Sequence, residues 1–357
     1  MIPRVVHVAS GREWRGGQRQ VWLLARELGR LGVAQVVVTG SDGELARRLR
    51  DSGIAVRGAR WLIGLDPRVI PAILGELHQP ALLHAHDAHA LTLAGISSML
   101  ARVPLIATRR VDFPISKRGY WRRADRVIAI SHAVANVLAR GGVARDRISV
   151  VHSGISLETT LRATPFGIRD RLGLPPHARI AANVAALVNH KDHATLVQAA
   201  KLLELRFPDL HWVIAGEGKL RRRLETQVHM LGLKCVHLLG HVSDPERLIL
   251  DSDLFVMSSQ EEGLGTSVLE AMALGIPVAS TAAGGLPEML ANDAGLLVPP
   301  KDPPALANAV ARILEDGDLR KLLVERASNQ VRRFTDRQMA EEVARVYRSC
   351  AHSLDGS

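Results

Sequence analysis

Two acidic residues in the second half of the chain, Glu262 and Glu270, are separated by seven residues that include two glycines and two hydroxyl side chains. The apolar segment LFVMSS before them is typical of a buried strand, and VLEAMAL around the second acid is typical of a helix. Glycines let the backbone approach a ligand, and the N–H groups of a first helical turn attract anions. The stretch is therefore a candidate ligand site that combines two carboxylates with an anion-binding helix start.

The same residues also have a purely structural interpretation. Ser267 with Glu270 matches a helix capping box, in which the glutamate binds the backbone N–H of the serine, and glycine is a common turn residue. A second glycine turn, Gly284-Gly285, follows the apolar segment PVAST and precedes a helix that has Pro287 near its start. Two successive strand–glycine–helix units favour the anion site over the structural interpretation.

Short apolar segments rich in β-branched residues alternate with helical patterns along the chain. This alternation predicts parallel sheets covered by helices on both faces. Thirteen strands in one open sheet would be unusual, so we expect an α/β protein with two Rossmann-like domains of six or seven strands. The predicted strands are VVHVAS, AQVVVTG, IAVRG, ALLHAH, PLIATRR, RVIAIS and ISVVHSG in the first half, and RIAANVAAL, LHWVIAG, CVHLLG, LFVMSS, PVAST and AGLLVP in the second.

The domain boundary is expected near Ala163, because the segment LETTLRATPFGIRDRLGLPPHA contains turn residues and no predicted strand. The N-terminal domain then comprises residues 1–162 and the C-terminal domain residues 163–335. Residues 336–357 are expected to form a last helix that packs back on the N-terminal domain through an apolar stripe. In facing domains of this kind, ligands are expected in the interdomain cleft, beyond the carboxyl ends of the strands.

The composition describes a large, basic chain. It has 357 residues, of which 47% are hydrophobic, a formal net charge of +10 and a pI of about 10.4. The positive charge favours anionic partners such as nucleotides or anionic lipid. No apolar segment approaches the ~20 residues of a membrane span, and the two cysteines, Cys235 and Cys350, provide no disulfide framework. These features predict a cytoplasmic protein.

Basic residues are concentrated between Arg102 and Arg126, where eight bases and two acids are interleaved with Phe113, Tyr120 and Trp121. The segment is either a solvated basic face or a surface for an anionic membrane or acceptor, because cations and amphipathic rings suit a headgroup layer. A nucleic-acid partner is not expected, since no helix-turn-helix, zinc-finger or RNA-binding motif accompanies the charge. The segment thus predicts peripheral contact of the first domain with the inner face of the cytoplasmic membrane.

A longer pattern, E-G-x-G-x-x-x-L-E-A-M-A-x-G-x-P-V followed by G-G-x-P-E, begins at Glu262 and ends at Glu288. It resembles the signature of retaining glycosyltransferases of family 4, which have the two-Rossmann-domain fold called GT-B. The resemblance extends over nearly the whole chain, because further segments follow in the order expected for the family: RGGQRQVWLLARELGRLG, RADRVIAIS, ISVVHSGIS, VIAGEGKLRRRLE and AGLLVPPKDPPALANAV.

The resemblance implies a role for each matched residue. Glu262 would accept hydrogen bonds from the hydroxyls of a donor sugar, and Glu270 would bind the ribose hydroxyls. Lys191, in HKDH, would meet the diphosphate. Backbone groups would meet the base at Val242 and the phosphates in two glycine loops, which comprise Gly16, Gly17, Gly263, Gly265, Thr266 and Ser267.

One departure from the family pattern concerns the grip on the diphosphate. The family often has an arginine five residues before the lysine, and this chain has Ala186 there. A hydrogen bond to a charged group is worth roughly 1.5–3 kcal/mol, so another cation is expected to replace it. The candidates are Arg12, Arg15, Arg19 and Lys219.

A second departure concerns the reacting centre. Many members have a histidine there within a T-x-H pattern, whereas this chain has Arg110 after Thr108 and Arg109. An arginine cannot act as a base, but it can hold a phosphate or an anionic acceptor. Arg110 therefore joins Glu262 and Lys191 as an expected catalytic residue.

Two short motifs have the residue types of metal ligands. His84 and His86 form an H-x-H pattern at a strand end, which can ligate zinc, but the predicted two-sheet architecture differs from the barrel hydrolases that use it. Asp251 and Asp253 form a D-x-D pattern at the amino end of a strand, away from the expected ligand edge. We therefore expect neither a metal ion nor another cofactor.

Taken together, the resemblance implies transfer of a hexose-type sugar from a nucleoside diphosphate sugar, with UDP favoured, to a hydroxyl of a glycan or glycolipid acceptor. The segments WRGGQRQ and SKRGYWRRADR are similar to those of bacterial members that build cell-envelope polysaccharide or lipopolysaccharide. A nucleotide-sugar epimerase of two-Rossmann architecture, a metal hydrolase and a non-catalytic nucleotide-sugar-binding protein are the alternatives.

Overall fold

The computed structural model describes residues 2–11, 13–78, 80–115 and 119–352. They form two units, Met1–Gly154 with Phe334–Ser357 and Ile155–Arg333, each with its own parallel sheet. The predicted fold class, two Rossmann-like α/β domains, is confirmed. Within the described ranges, none of the helices has the length and apolar character that crossing a bilayer requires.

The first unit contains a seven-stranded sheet. Its strands are β1 (Arg4–Val8), β2 (Gln35–Gly40), β3 (Val56–Ala59), β4 (Ala81–Ala85), β5 (Leu105–Arg109), β6 (Arg126–Ala129) and β7 (Ile148–Val150). The α-helices between them are α1 (Gly16–Arg30), α2 (Glu44–Asp51), α3 (Ile70–Leu74), α4 (Ala88–Ala101) and α5 (His132–Arg140). The strands pair in the order β3-β2-β1-β4-β5-β6-β7, and the two central strands, β1 and β4, are almost entirely buried because helices cover both faces.

The second unit contains a six-stranded sheet. Its strands are β8 (Arg179–Val184), β9 (Leu210–Ala215), β10 (Val236–Gly240), β11 (Leu254–Met257), β12 (Val278–Thr281) and β13 (Leu296–Val298). Its α-helices are α6 (Leu157–Leu161), α7 (Ile168–Arg171), α8 (His193–Leu203), α9 (Arg221–Met230), α10 (Pro245–Leu250), α11 (Thr266–Ala273), α12 (Leu286–Met289), α13 (Pro303–Glu315) and α14 (Gly317–Val331). The strands pair in parallel in the order β10-β9-β8-β11-β12-β13.

The last helix, α15 (Asp336–His352), belongs to the first unit and packs against α1. Met339, Val343 and Tyr347 recur every four residues and therefore lie on one face of the helix, in one core with Leu24 and Leu28 of α1. This packing buries the Tyr347 hydroxyl, which lies 2.6 Å from Nδ1 of a histidine in β4.

The change from the first unit to the second lies between Gly154 and Ile155, earlier than the boundary expected after residue 162. Ile155 is buried, and α6 packs against α11, so the residues after Gly154 already belong to the second unit. The turn-rich sequence marked the absence of a strand, but it did not indicate which core the short helix α6 joins.

Candidate functional site

In the second unit, a reversal of strand order places two loops side by side. The chain proceeds from β8 outward to β9 and β10, and then returns to β11 on the other side of β8. Open parallel sheets bind their ligands at such a switch point, beyond the carboxyl ends of the strands. Lys191 follows β8 in a 3-10 turn, and Glu262 follows β11. The structure thus brings both predicted residues to this position.

Lys191 and Glu262 form a largely buried ion pair. Lys191 Nζ bonds Oε2 of Glu262, and the two side chains are 16% and 10% exposed. Ser259 Oγ donates to the same carboxylate oxygen at 3.2 Å, and Ser258 Oγ donates to the Lys191 carbonyl at 3.0 Å. These contacts join the two loops and hold an ammonium and a carboxylate ready for a ligand that carries phosphates and hydroxyls.

Gly265 begins α11 in a backbone conformation that favours glycine. Its φ is +94°, and a Cβ there would lie 3.0 Å from Leu286 Cδ2. Helix α11 starts at Thr266, and Ser267 Oγ donates to the Val184 carbonyl at 3.1 Å. Ser267 is therefore not the N-cap of this helix, since Gly265 occupies that position. The first-turn N–H groups of α11 are those expected to bind phosphate.

We predict that Gly265→Ala costs about 1–3 kcal/mol of unfolding free energy, because a side chain is strained at positive φ and contacts Leu286. Gly17→Ala is the matched control. A Cβ at Gly17 meets no described atom within 4 Å, and alanine is favoured over glycine in the helix α1. Urea unfolding of the two variants checks this, and equal destabilisation by both would contradict the strain argument.

The two remaining predicted donor contacts of this unit also lie near the carboxyl edge. Glu270 lies on α11 and is 2% exposed. Val242 follows β10, and it is partly buried against the core residues around Ile180. Gly216, after β9, donates its N–H to the carbonyl of Gly240 at 2.7 Å, which keeps the ends of β9 and β10 together.

The loop around Ala186 packs closely against the loop after β9. A Cβ at Gly216 would lie 1.9 Å from the Ala185 carbonyl oxygen, so a larger residue would displace the loop. A pocket of about 410 Å³ lies next to this loop, and its lining comprises Val188, Asn189, His190, Lys219, Gln260 and Glu261. Lys219 therefore lies at this edge of the second unit. It is a candidate to replace the missing arginine.

The other candidate replacements lie in the first unit or outside the described residues. Arg15 pairs with Glu13, and both side chains are exposed. Arg19 lies in the first turn of α1, and Arg12 lies outside the described residues. Gly16 and Gly17 form the start of α1, after β1, where a Cβ at either glycine meets no described atom within 4 Å. Packing among described residues therefore does not explain why both positions are glycine.

Arg110 lies beyond the carboxyl end of β5, next to the end of β4. Its guanidinium donates from Nη1 to the His86 carbonyl at 2.7 Å and lies with Nη2 3.2 Å from His86 Nδ1. Burial lowers the pKa of Arg110 to about 10, and the nearby Asp87 carboxylate opposes this. The residue therefore keeps its positive charge at neutral pH.

The H-x-H histidines belong to a buried cluster in the first unit. His7 of β1 joins His84 and His86, and their ring nitrogens lie within 4.8 Å of one another. His84 lies 2.6 Å from the Tyr347 hydroxyl and 2.7 Å from the Thr108 hydroxyl. Burial lowers the pKa of all three histidines, that of His7 to about 3, so the rings are neutral.

The basic segment is only partly a surface. Arg102, Arg122 and Arg123 are exposed, whereas Trp121 is buried. The Arg109 guanidinium lies 5.2 Å from the centre of the Trp121 ring, so this arginine packs on the aromatic ring. Trp121 is therefore not exposed for contact with a headgroup layer. Lys117 and Arg118 lie outside the described residues.

The D-x-D carboxylates have structural partners. Asp251 accepts the N–H of Ile168 at 3.0 Å. Asp253 accepts the N–H of Ile180 at 2.8 Å and pairs with Arg169 at 2.7 Å. Both acids lie at the amino end of β11, as the sequence indicates, and they tie α7 to the sheet.

Comparison with known proteins identifies both units. The family described as Glycosyltransferase Family 4 matches residues 14–159, and Glycosyl transferases group 1 matches residues 167–330. The lipopolysaccharide core biosynthesis glycosyltransferase LpsE of Rhizobium meliloti is 29% identical over 90% of this chain and 92% of its own length. The D-inositol 3-phosphate glycosyltransferase of Corynebacterium urealyticum is 34% identical over 57% of this chain, and the match spans about half of that relative, 52%.

Solved structures support the same fold. The crystal structure of Anabaena HepE in complex with UDP and glucose superposes with a TM-score of 0.85 and 21% identity, covering 97% of this chain and 99% of that one. The two family matches meet near the boundary between the units and together leave out only short segments of the chain. The chain therefore belongs to the family 4 glycosyltransferases of GT-B fold.

Proposed function

We propose that the chain transfers a hexose-type sugar from a nucleoside diphosphate sugar, with UDP favoured, to a hydroxyl of a glycan or glycolipid in cell-envelope polysaccharide or lipopolysaccharide synthesis. The observation that carries the proposal is the Lys191–Glu262 pair at the switch point, next to the glycine-started helix α11. The similarity to a lipopolysaccharide core enzyme and to a structure that holds UDP and glucose supports the acceptor and donor classes.

In the proposed reaction, the bond between the anomeric carbon and the β-phosphate oxygen breaks, while the acceptor oxygen bonds that carbon on the same face. Negative charge develops on the leaving phosphate, and the Lys191 ammonium and the N–H groups of α11 stabilise it. A phosphate oxygen takes the acceptor's proton, which explains why no protein base is needed. Glu262 orients the sugar hydroxyls, and Arg110 holds an anionic group on the acceptor side.

Positive charge from the protein makes a bound metal ion unnecessary in this scheme. The D-x-D carboxylates are engaged by backbone N–H groups and Arg169, which makes them unsuitable as a clamp for the diphosphate. The cations assigned to the diphosphate are Lys191 and Lys219.

We predict that substitutions at Glu262 and Glu270 weaken the binding of different ligands. Glu270→Ala is expected to weaken the binding of free nucleoside diphosphate, because it removes the ribose contact. Glu262→Gln is expected to spare free diphosphate binding and to weaken binding of the sugar nucleotide only. Thermal unfolding with UDP, GDP, ADP and their sugars measures this, since a ligand at 100 times its Kd adds about 2.7 kcal/mol. Loss of free UDP binding in both variants would contradict the division of roles.

The same ligand series distinguishes the alternative functions. A changed sugar with no acceptor added would indicate an epimerase, and donor binding without turnover would indicate a binding protein. The buried histidine cluster is the observation that supports a metal hydrolase as an alternative function. Stoichiometric zinc in the purified protein, with hydrolysis in place of transfer, would favour that alternative.

We also propose that the first unit docks on anionic inner-leaflet membrane through the exposed bases of the segment from Arg102 to Arg126. Arg122→Gln with Arg123→Gln is predicted to weaken binding to vesicles that contain anionic lipid, because each base near the surface contributes about 1 kcal/mol. Arg206→Gln with Arg320→Gln, in the second unit, is the control of equal charge change. Sedimentation with vesicles measures the effect, and equal binding by wild type and the Arg122/Arg123 variant would count against docking.

A further inference from the structure

Arg110 is a largely buried cation whose hydrogen-bonding partner is a histidine. Both terminal nitrogens of its guanidinium contact His86, through the carbonyl oxygen at 2.7 Å and the ring Nδ1 at 3.2 Å. Its Nε is buried and has no hydrogen-bond partner among the described residues. Asp87 is near enough to influence Arg110, but its oxygens accept from Ser10 and from the Ala90 N–H. A buried charge is ordinarily paired, so this guanidinium is arranged for an anion that arrives with a ligand.

The contact with Arg110 determines where the proton lies on each histidine. A guanidinium donates and never accepts, so His86 Nδ1 must carry a lone pair and Nε2 the proton. His86 Nε2 lies 2.9 Å from His7 Nδ1 and therefore donates to it. The His7 proton then lies on Nε2, which is buried and meets no acceptor within 3.5 Å among the described residues, although the Gln35 side chain is close enough to oppose the lowering of the His7 pKa. Arg110, His86 and His7 thus form a directional chain of hydrogen bonds.

Neighbouring groups hold this chain in place. His84 packs against His86 with ring centroids 4.1 Å apart, and the His7 ring lies edge to edge with His86, with centroids 5.1 Å apart and the ring planes 20° apart. His84 is itself fixed by Thr108 on one ring nitrogen and by Tyr347 on the other. These groups all belong to the first unit, so the His86 ring is held by residues of its own unit.

A zinc site is the competing interpretation of three clustered histidines. A metal on His86 Nε2 would require the proton to move to Nδ1, where it would face the donor N–H of Arg110. The ion would also replace the hydrogen bond between His7 and His86 and lie beside a guanidinium charge. The observed contacts favour neutral, hydrogen-bonded rings over metal ligands.

We propose that His86, oriented by His7, is a positioning residue that presents the Arg110 guanidinium to an oxyanion of the substrate. The inference rests on the proposed function, in which Arg110 binds an anionic group near the reacting centre. Many family members have a histidine where this chain has Arg110. Two neutral histidines, His86 and His7, orient the Arg110 guanidinium.

The kinetic test compares His86→Leu with His86→Asn. Leucine removes the acceptor for Arg110, whereas the asparagine Oδ1 lies near the position of Nδ1 and retains it. We expect His86→Leu to lower kcat by about tenfold or more, and His86→Asn to recover most of the loss. His89→Leu, an exposed histidine three residues farther along, is the control and should stay near wild type. Equal activity of His86→Leu and wild type, or equal loss in His86→Leu and His86→Asn, would overturn the proposal.

A spectroscopic test on the wild-type chain does not depend on turnover. Long-range ¹H–¹⁵N spectra of histidine-labelled protein, assigned with His7→Asn and His86→Asn, should show both rings neutral at pH 6.5 with the proton on Nε2. Arg110→Met should change the ring signals of His86. A proton on Nδ1 of His86, a charged ring, or signals that shift with stoichiometric zinc would overturn the inference. If the spectra agree but no donor sugar is transferred, the proposed function fails and the positioning of Arg110 stands.

Discussion

Lys191→Met is expected to slow sugar transfer by roughly 10²- to 10³-fold, the range found when one preorganised donor to a developing oxyanion is removed. Lys191 is assigned to the leaving phosphate, and it is mostly buried beside Glu262, so water does not readily replace its ammonium. Initial rates of nucleoside diphosphate release at saturating donor measure the effect. A variant within tenfold of wild type would show that another cation carries the charge, with Lys219 as the first residue to test.

The same substitution affects stability, and a second variant separates the two effects. Lys191→Met removes the ammonium that pairs with the largely buried Glu262 carboxylate, which costs on the order of 3 kcal/mol. The double variant Lys191→Met/Glu262→Gln also removes the buried negative charge and is expected to regain most of the stability while remaining inactive. Urea unfolding beside the rate assay resolves this, and recovery of activity in the double variant would contradict the role of Lys191.

Acidification from pH 7 to pH 5 is expected to destabilise the first unit by about 2 kcal/mol for each of His7, His84 and His86. The folded pKa of His7 is lowered to about 3, and those of His84 and His86 are well below 6.5, in each case chiefly because of burial. Arg110 and the neighbouring rings add to the lowering, and Tyr347, whose pKa burial raises, stays a neutral phenol. Below pH 6.5 the unfolded chain therefore binds protons that the folded unit does not, and stability falls with pH.

Hydrogen exchange followed by mass spectrometry can measure this effect in each unit. In the second unit the pKa of His193 is lowered to about 4 and those of His211 and His237 are lowered less, so its loss of stability should be smaller. His84→Gln is the control, since removal of one such histidine should lower the loss of stability between pH 7 and pH 5 by about 2 kcal/mol. A first unit that is equally stable at pH 5 and pH 7 would contradict neutral rings.

The sequence predicted the strands along the chain and the loop that contains Glu262, because both depend on local patterns. Apolar segments with β-branched residues become buried strands of a parallel sheet, and the residues after them must lie at the carboxyl edge. Glu262 was expected at this edge because it follows a predicted strand, whereas Lys191 was assigned from the family resemblance. Lys191 and Glu262 are 71 positions apart in sequence, and they pair because β8 and β11 are neighbours in the sheet. The order of the segments along the chain does not reveal which strands are neighbours.

The features that were not predicted depend on distant contacts. The H-x-H motif was visible, but His7 and Tyr347, which lie near opposite ends of the chain, complete its surroundings. Ser267 and Glu270 satisfied a capping pattern, yet the N-cap is Gly265, two residues before Ser267 and at positive φ, and the serine hydroxyl bonds β8. Trp121 lies in a basic segment, but its ring is buried and packs against Arg109. The local sequence pattern could not predict these features, because each depends on contacts with residues that are distant in sequence.

The central claim is that this chain moves a sugar from a nucleoside diphosphate to an acceptor hydroxyl with retention and without a bound metal ion. The most direct measurement incubates the chelator-treated protein with UDP-glucose and a cell-envelope glycolipid extract, and follows UDP release together with the anomeric signal of the product by NMR. The account predicts UDP release coupled to sugar addition, with an α-linked product from the α-linked donor. A β-linked product, a requirement for added metal, or release of UDP with no sugar added would contradict it.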